Sequence, residues 1–372
     1  MILRILHTAD NHIGISFAHL PDPVRDRLVA ERFGALERIV SLANTREAHL
    51  LVVAGDLFDK LTVAAKDIKR TVEVLRRFEG EAVLVLAGNH DYCEGAENKL
   101  WNTFRQAADG SNVFALTEQR IQDFTVEDLR VRFYACPCPS KYSAESVTDW
   151  VADKPKEEGV LHIGLAHGNV EGLGLDADQR YFNMRDSDLR SAGVHTWLLG
   201  HIHVPAPAPD TIGRPSYFMP GIHTPDSVRC THPGHAWWIE LDSDGNCRHE
   251  QLTTGTLRFV RVPAELEHVN DIAALRRQCE TLDAPNTLLD LKLTGRLKAE
   301  ELQRLNDLVT ELSQRFLHVT RDQDIAEVLT AEAIATRFPD GTLPHALLTV
   351  LLADEAHPGD AQVALKLIES LP

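Results

Sequence analysis

No run of apolar residues in this chain approaches the roughly 20 needed to cross a bilayer; the longest are strand-sized and end in Gly, Asp or His. The chain opens directly on an apolar strand pattern, Ile2 to Leu6, with no basic stretch, long apolar core or small-residue cleavage site. We therefore expect no export signal and a cytoplasmic protein. Cysteine is sparse and scattered: Cys93, Cys136, Cys138, Cys230, Cys247 and Cys279 form no CxxC pair, and the closest two bracket a proline. That argues against a thiolate zinc site or a disulfide framework and leaves reduced, structural thiols. Internal repeats and low-complexity tracts are missing as well.

Positive charge is also in short supply. Lys and Arg number 38 against 55 Asp and Glu, a formal net charge of -17. Affinity for phosphate backbones comes largely from Lys and Arg, so a broadly basic nucleic-acid binder is excluded. Net charge is blind to bound cations and to local clustering, however. One stretch runs the other way: Lys60, Lys66, Lys69, Arg70, Arg76 and Arg77 face only Asp67 and Glu73. Such a helix can lie along a phosphate backbone, and it reads equally well as a solvated face.

What remains is the composition of a globular chain, 44% hydrophobic and 25% charged, whose 372 residues suit one large core and a smaller domain. Five apolar runs share one design, each a buried strand ending in residues able to bind metal. They are Ile2 to Leu6 before HTADNH, Leu50 to Ala54 before GDLFD, Ala82 to Ala87 before GNHD, Leu161 to Ala166 before HGN, and Trp197 to Leu199 before GHIH. Helical patterns at Val24 to Ala43 and Lys66 to Phe78 separate the first three. Alternating strands and helices predict a layered α/β domain with its site at the carboxyl ends of the strands. Ser216 to Met219 and His235 to Leu241 add strands that complete a first domain over 1–254. From about Leu257 the pattern becomes strand, helix, strand, helix with no clustered metal-type residues, predicting an α+β accessory domain over 255–330. A helical tail, 331–372, carries amphipathic patterns at Leu343 to Leu352 and Ala361 to Leu371 around an HPGD turn; it packs on its own neighbour or on a partner.

The chemistry lies in the polar strand ends. Asp10 and His12 stand two residues apart beyond a strand, so an extended backbone turns a carboxylate and an imidazole to one side, where they can share a cation. Asp56 follows an apolar strand and a glycine, and its two oxygens can bridge cations about 3.5 to 4 Å apart. Asn89 offers a neutral amide oxygen as a ligand, and the adjacent His90 is turned elsewhere, to catalysis. His167, His201 and His203 complete the set, the last two again two apart. A lone DxH or HxH is weak; five such fragments in order, each after an apolar strand, are not a chance pattern.

DNHIG, GDLFD, GNHD, HGN and GHIH together resemble the motifs of the calcineurin-like metallophosphoesterases over about residues 1 to 240. Within that superfamily ILHTADNHIG, LLVVAGDLFD, VLVLAGNHD and LLGHIH resemble the SbcD-type DNA repair nucleases, including the YhaO-like branch, and TLLDLKLTGRLKAEEL is similar to their capping domain. The resemblance implies a layered metallophosphoesterase β-sandwich flanked by helices, with a smaller α+β capping domain. It implies that Asp10, His12, Asp56 and His203 hold one metal and Asp56, Asn89, His167 and His201 the other. It further implies that His90 stabilises the phosphorane-like transition state or protonates the leaving oxygen, and that Asp59 orients His90; a helix N-cap is the plainer reading of Asp59. Nitrogen and oxygen ligands without thiolate admit manganese, iron or zinc, and the family points to two divalent ions, with manganese expected. Two cations activating a water for in-line attack need no covalent enzyme intermediate. Partners implied are DNA, a second copy of the chain through first-domain helices, and an SbcC-like SMC-type ATPase docked on the tail, where Leu347, Leu348, Leu351, Leu365, Leu367 and Ile368 are the candidates. No extended linker precedes the tail.

The expected function is thus a metal-dependent DNA nuclease, exo- or endonucleolytic, in DNA repair. A phosphodiesterase or phosphatase for a small nucleotide or other phosphoester is the alternative, favoured by the acidic balance. A non-catalytic relative is disfavoured because His90 and all seven ligand positions are filled.

Overall fold

The computed structural model describes residues 1–95, 98–173, 180–354, 356–357 and 359–370. Pro358 of the HPGD turn and Leu371 at the end of the second tail pattern lie outside the described residues. The chain divides into two compact units, Met1–Arg258 and the part from Phe259 onward.

The strands of the first unit are β1 (Ile2–Thr8), β2 (Leu50–Val53), β3 (Ala82–Leu86), β4 (Val113–Leu116), β5 (Arg120–Val126), β6 (Leu129–Cys136), β7 (Val160–His167), β8 (Thr196–Gly200), β9 (Tyr217–Phe218), β10 (His235–Asp242) and β11 (Cys247–Thr253). Its helices are α1 (Asp22–Thr45), α2 (Ala65–Leu75), α3 (Lys99–Ala108) and α4 (Asp186–Ser191). Six strands form one sheet in the order β11-β10-β1-β2-β3-β4, and five form a second, β5-β6-β7-β8-β9. Strands β1, β2 and β3 run parallel, as do β6, β7 and β8, so their carboxyl ends share an edge within each sheet.

The two sheets pack face to face. Leu3 and Ile5 of β1, Leu50 and Val52 of β2, and Leu84 of β3 meet Phe133, Ile163, Leu165 and Leu198 of the second sheet in one buried cluster. The alternate residues Leu6, Leu51, Val53, Val83 and Val85 point the other way, into a cluster with Leu36, Ile39, Val72 and Leu75 from α1 and α2. This is why the parallel strands read as unbroken apolar runs: helices cover one face and a sheet the other. A third cluster, including Trp197, Leu199 and Leu189, covers the outer face of the second sheet. The architecture is therefore an α/β sandwich of two sheets flanked by helices.

Helix α2 shows how its sequence sets its face. Ile68, Thr71, Val72 and Leu75, spaced by three and four, are buried, while Lys60 just before it, Lys66, Lys69 and Arg70 within it, and Arg76 and Arg77 just after it are exposed. All six cysteines are free.

The second unit holds a three-stranded sheet, β12 (Arg258–Leu266), β13 (Thr287–Leu297) and β14 (His318–Glu327), in that order, with β13 and β14 parallel. Helices α5 (Val269–Glu280) and α6 (Ala299–Arg315) supply Leu275, Leu305, Leu308 and Leu312 to its core. The tail folds as α7 (Ala331–Arg337), α8 (Leu343–Leu352) and α9 (Asp360–Glu369) around Leu329, Ile334, Leu348, Ala361 and Leu365. Two of the candidate docking residues, Leu348 and Leu365, are thus spent on the tail's own core; Leu347 and Leu367 remain outside it, 40% and 63% exposed. Among the described residues no helix is long and apolar enough to cross a membrane.

Candidate metal centre

Five loops, each leaving the carboxyl end of a parallel strand, meet at one place. The loop after β1 zips onto the loop after β2: Asp10 N–H donates to the Gly55 carbonyl at 3.1 Å, His12 to Asp56 at 2.9 Å, and Asp59 back to Ile13 at 3.0 Å. The loop after β3 is fastened to the second by Asp91, a buried carboxylate that accepts from Phe58 N–H at 3.0 Å and Gly88 N–H at 2.7 Å. Asp56 Oδ1 accepts from the main chain of His90 at 2.8 Å. From the second sheet, His167 at the end of β7 donates through Nδ1 to the Ala54 carbonyl at 2.8 Å, and the His201 N–H beyond β8 donates to both Asp10 oxygens at 3.0 and 3.1 Å.

Asp10, His12, Asp56 and His201 all take positive φ, 54°, 44°, 53° and 106°, a conformation that L residues adopt at a cost and keep where surrounding contacts enforce it. Gly88 makes room for this crowding, because a Cβ there would lie 2.2 Å from Asp56 Oδ1.

The side chains fall into three groups with donor atoms within 4.8 Å of one another: Asp10, His12 and His203; Asp56, His167 and His201; and His12, Asp56 and His90. Asn89 joins the second group, its Oδ1 lying 3.0 Å from His167 Nε2 and 3.0 Å from His201 Nδ1. All seven expected ligands are therefore brought together, with Asp56 between the two sets. A cavity of about 290 Å³ lies over them, lined also by Asp59, His90, Tyr181 and Asp226.

The donor chemistry fits metal. With Nδ1–H committed to Ala54, His167 aims Nε2 at Asn89 Oδ1, 3.0 Å away, and at Asp56 Oδ2, 3.2 Å away, where it donates a proton in the metal-free protein and would offer a lone pair to an ion. The Asn89 amide turns its oxygen toward two ring nitrogens and leaves its NH2 buried without a hydrogen-bond partner. An amide oxygen turned to the ring nitrogens can accept from a protonated imidazole or share a cation with it. The electrostatics agree. Burial pushes Asp10 up to about 8, with Asp56 adding to the rise. Burial resists ionisation of Asp56 too, yet the adjacent His167 wins and holds it below the ordinary carboxylate range. His167 is lowered by burial but raised more by Asp56, to about 9. His201 is pushed down to about 3, chiefly by burial. Charge inside this cluster is stable only when a carboxylate is matched by a proton or a metal cation.

His90 stands beside the ligands, its ring 4.7 Å from that of His12. Its Nδ1 lies 2.8 Å from Asp59, but from the main-chain carbonyl; the Asp59 carboxylate instead faces His12 Nδ1 at 3.7 Å. Asp59 is not a helix N-cap, since α2 starts at Ala65.

Four neighbours were not singled out by sequence. Asp91 was legible in GNHD as a polar residue but not as a loop fastener. Tyr181, whose ring lies 4.9 Å from that of His201, and Asp226, whose Oδ2 is 3.5 Å from His203 Nδ1, sit outside the five motifs. Arg32 gave no signal, being one cation among many in α1.

The profile of the calcineurin-like phosphoesterases matches residues 3–205. The chain belongs to that family. Its members are metal-dependent phosphoester hydrolases with a dimetal centre, and this chain carries candidate ligands for one. It is 26% identical over 211 residues to the uncharacterized metallophosphoesterase YhaO of Bacillus subtilis, covering 54% of this chain and 48% of that protein. It is also 26% identical over 257 residues to the DNA double-strand break repair protein Mre11 of Aeropyrum pernix, covering 65% of this chain and 58% of that protein. The chain thus spans about half the length of these curated relatives. Among solved structures, TT1561 of Thermus thermophilus is 12% identical with a TM-score of 0.40, over 68% of this chain and 100% of that one.

Proposed function

We propose that the protein is a two-metal DNA nuclease, hydrolysing phosphodiester bonds in DNA repair. The observation that carries the two-metal reading is the convergence of seven donors from five loops on a shared, buried Asp56. In this reading Asp10, His12, Asp56 and His203 hold one divalent ion and Asp56, Asn89, His167 and His201 the other, with manganese suited to such nitrogen and oxygen donors. The ion pair, when bound, supplies Lewis acidity that polarises phosphoryl oxygens and lowers the pKa of a water.

His90 does the protein's own proton chemistry. Its Nδ1–H donates to the Asp59 carbonyl, so Nε2 is the nitrogen left to stabilise the transition state or protonate the leaving oxygen. Asp59 therefore orients His90 through its main chain. The strained, cross-bonded loops keep these groups in place before substrate arrives.

DNA as substrate is supported by the relatedness to proteins named for double-strand break repair and by the exposed cations at and around α2, which follows the Asp56 loop. The second unit would act as the capping domain, the tail as the docking segment for an SbcC-like SMC-type ATPase, and the first-unit helices as a homodimer face, in the cytoplasm. The net charge of -17 favours the second reading, a small phosphoester substrate.

End-labelled duplex and single-stranded DNA, incubated with manganese and wild type, His90→Ala or Asp56→Ala, separates them, with a small aryl diester as control. A nuclease cuts DNA, loses cutting in both variants, and binds DNA less as salt rises. Intact DNA beside a hydrolysed diester removes the nuclease assignment and leaves the phosphoesterase.

A further inference from the structure

His12 and His203 repeat one arrangement. Each turns Nε2 toward the other and Nδ1 toward a carboxylate: Asp59 Oδ1 at 3.7 Å from His12, Asp226 Oδ2 at 3.5 Å from His203. Asp226 belongs to the segment between β9 and β10, which none of the five motifs covers. That segment grips His203 a second time. His232 Nδ1 accepts from Gly234 N–H at 3.1 Å, which places the His232 proton on Nε2, and this donates to the His203 carbonyl at 2.7 Å.

Arg32 on α1 links this segment to the first ligand loop. Its Nη1 donates to the carbonyl of Asn11, between Asp10 and His12, at 2.7 Å, and its own carbonyl accepts from His223 Nε2 at 3.0 Å. The residue is 2% exposed, and its Nε and Nη2 have no hydrogen-bond partner. A buried guanidinium needs opposite charge nearby; the first two carboxylates that offset its burial are Asp226 and Asp59.

We infer that Asp226 is a positioning residue of the metal centre: acting on Nδ1, it holds the His203 imidazole with Nε2 presented to the ion shared with Asp10 and His12, as Asp59 does for His12, while Arg32 balances both carboxylates. The inference rests on the two-metal reading above. A carboxylate on the distal nitrogen fixes the tautomer and ring angle of a histidine ligand, and its loss lowers metal affinity by about 10–100-fold.

The test is calorimetric titration of the metal-free, full-length protein with Mn²⁺, comparing wild type, Asp226→Ala, Asp226→Asn and Asp56→Ala, alongside visible spectra of the Co²⁺-loaded proteins. Asp226→Ala is expected to weaken one of two ions by about 10–100-fold and to shift the Co²⁺ bands. Asp226→Asn should recover most of both, because an amide oxygen in the same place can accept from Nδ1–H. Both variants remove the charge that offsets buried Arg32, so the urea midpoint of the metal-free protein should fall alike in the two, and the difference between them in metal affinity reads the contact to His203. Unchanged affinity in Asp226→Ala overturns the inference, and so does an equal loss in the Ala and Asn variants, which would make the effect one of charge alone. Should wild type take up no ion, or Asp56→Ala bind as wild type does, the two-metal reading fails and the inference goes with it.

Discussion

Nε2 of His12 and Nε2 of His203, 191 residues apart in sequence, lie 3.2 Å from each other. With a proton on each Nδ1 the two Nε2 lone pairs would converge on one cation, whereas without metal one ring can carry its proton on Nε2 and donate to the other. Divalent metal should therefore stabilise the fold by mass action, about 2.7 kcal/mol at a hundredfold excess over Kd. Differential scanning calorimetry should show Tm rising with Mn²⁺ and falling back with chelator, and His203→Ala should shrink the rise. A Tm indifferent to metal would contradict the reading.

Asp10 gives a pH signature. Its native pKa of about 8 lies far above the carboxylate's ordinary value of 3.8. The native state of the metal-free protein thus holds a proton that the unfolded chain releases, so the stability this group contributes is full below pH 4 and is lost as pH rises toward 8. Asp10→Asn, which still accepts the His201 N–H, should stabilise the metal-free protein by roughly 1–3 kcal/mol at pH 7.5 and not at pH 4, while weakening metal binding. Urea unfolding at the two pH values checks both the sign and the window.

Gly88 tests the packing of the centre. A Cβ at this position would meet Asp56 Oδ1 at 2.2 Å and the Asp56 main-chain nitrogen at 2.4 Å, so the shared ligand must move. Displacement of about an ångström at a reacting centre lowers rates by about 10²-fold. Gly88→Ala should show a loss of that order in kcat/KM on the aryl diester; activity within a few-fold of wild type would mean Asp56 tolerates displacement.

His90 separates catalysis from metal binding. Replacing it with Asn removes the proton donor and leaves all seven donors of the two metal sets, so kcat should fall by about 10²–10⁴-fold while KM and metal stoichiometry hold. A loss of bound metal instead would place His90 among the ligands.

Much of this was legible because parallel strands buried on both faces must be continuous apolar runs, and the polar residues that end them stand out. Leu50 to Ala54 followed by Gly55, Asp56 and Asp59 announces a strand and its site at once. The stretch from Val113 to Cys136, where the chain passes from the first sheet to the second, was not legible in the same way: β5 is an edge strand on which half-buried Gln122 and Phe124 alternate with exposed Ile121, Asp123 and Thr125, and RVRFY mixes cations into β6. Supporting contacts were hidden for another reason. Asp91, Asp226 and Arg32 act through main-chain groups and second neighbours brought together only by folding, so no local spacing betrays them. The side chain of Asp59 is the instructive case, since its place in GDLFD marks it as functional but does not say that its carboxylate faces His12 rather than His90.

The most direct measurement is the number of ions bound per chain, by elemental analysis after equilibration with Mn²⁺ and removal of free metal, in wild type and Asp56→Ala. A centre built around a shared carboxylate gives two ions in wild type and loses tight binding of both when Asp56 is removed. One ion in wild type, or two retained without Asp56, would contradict it.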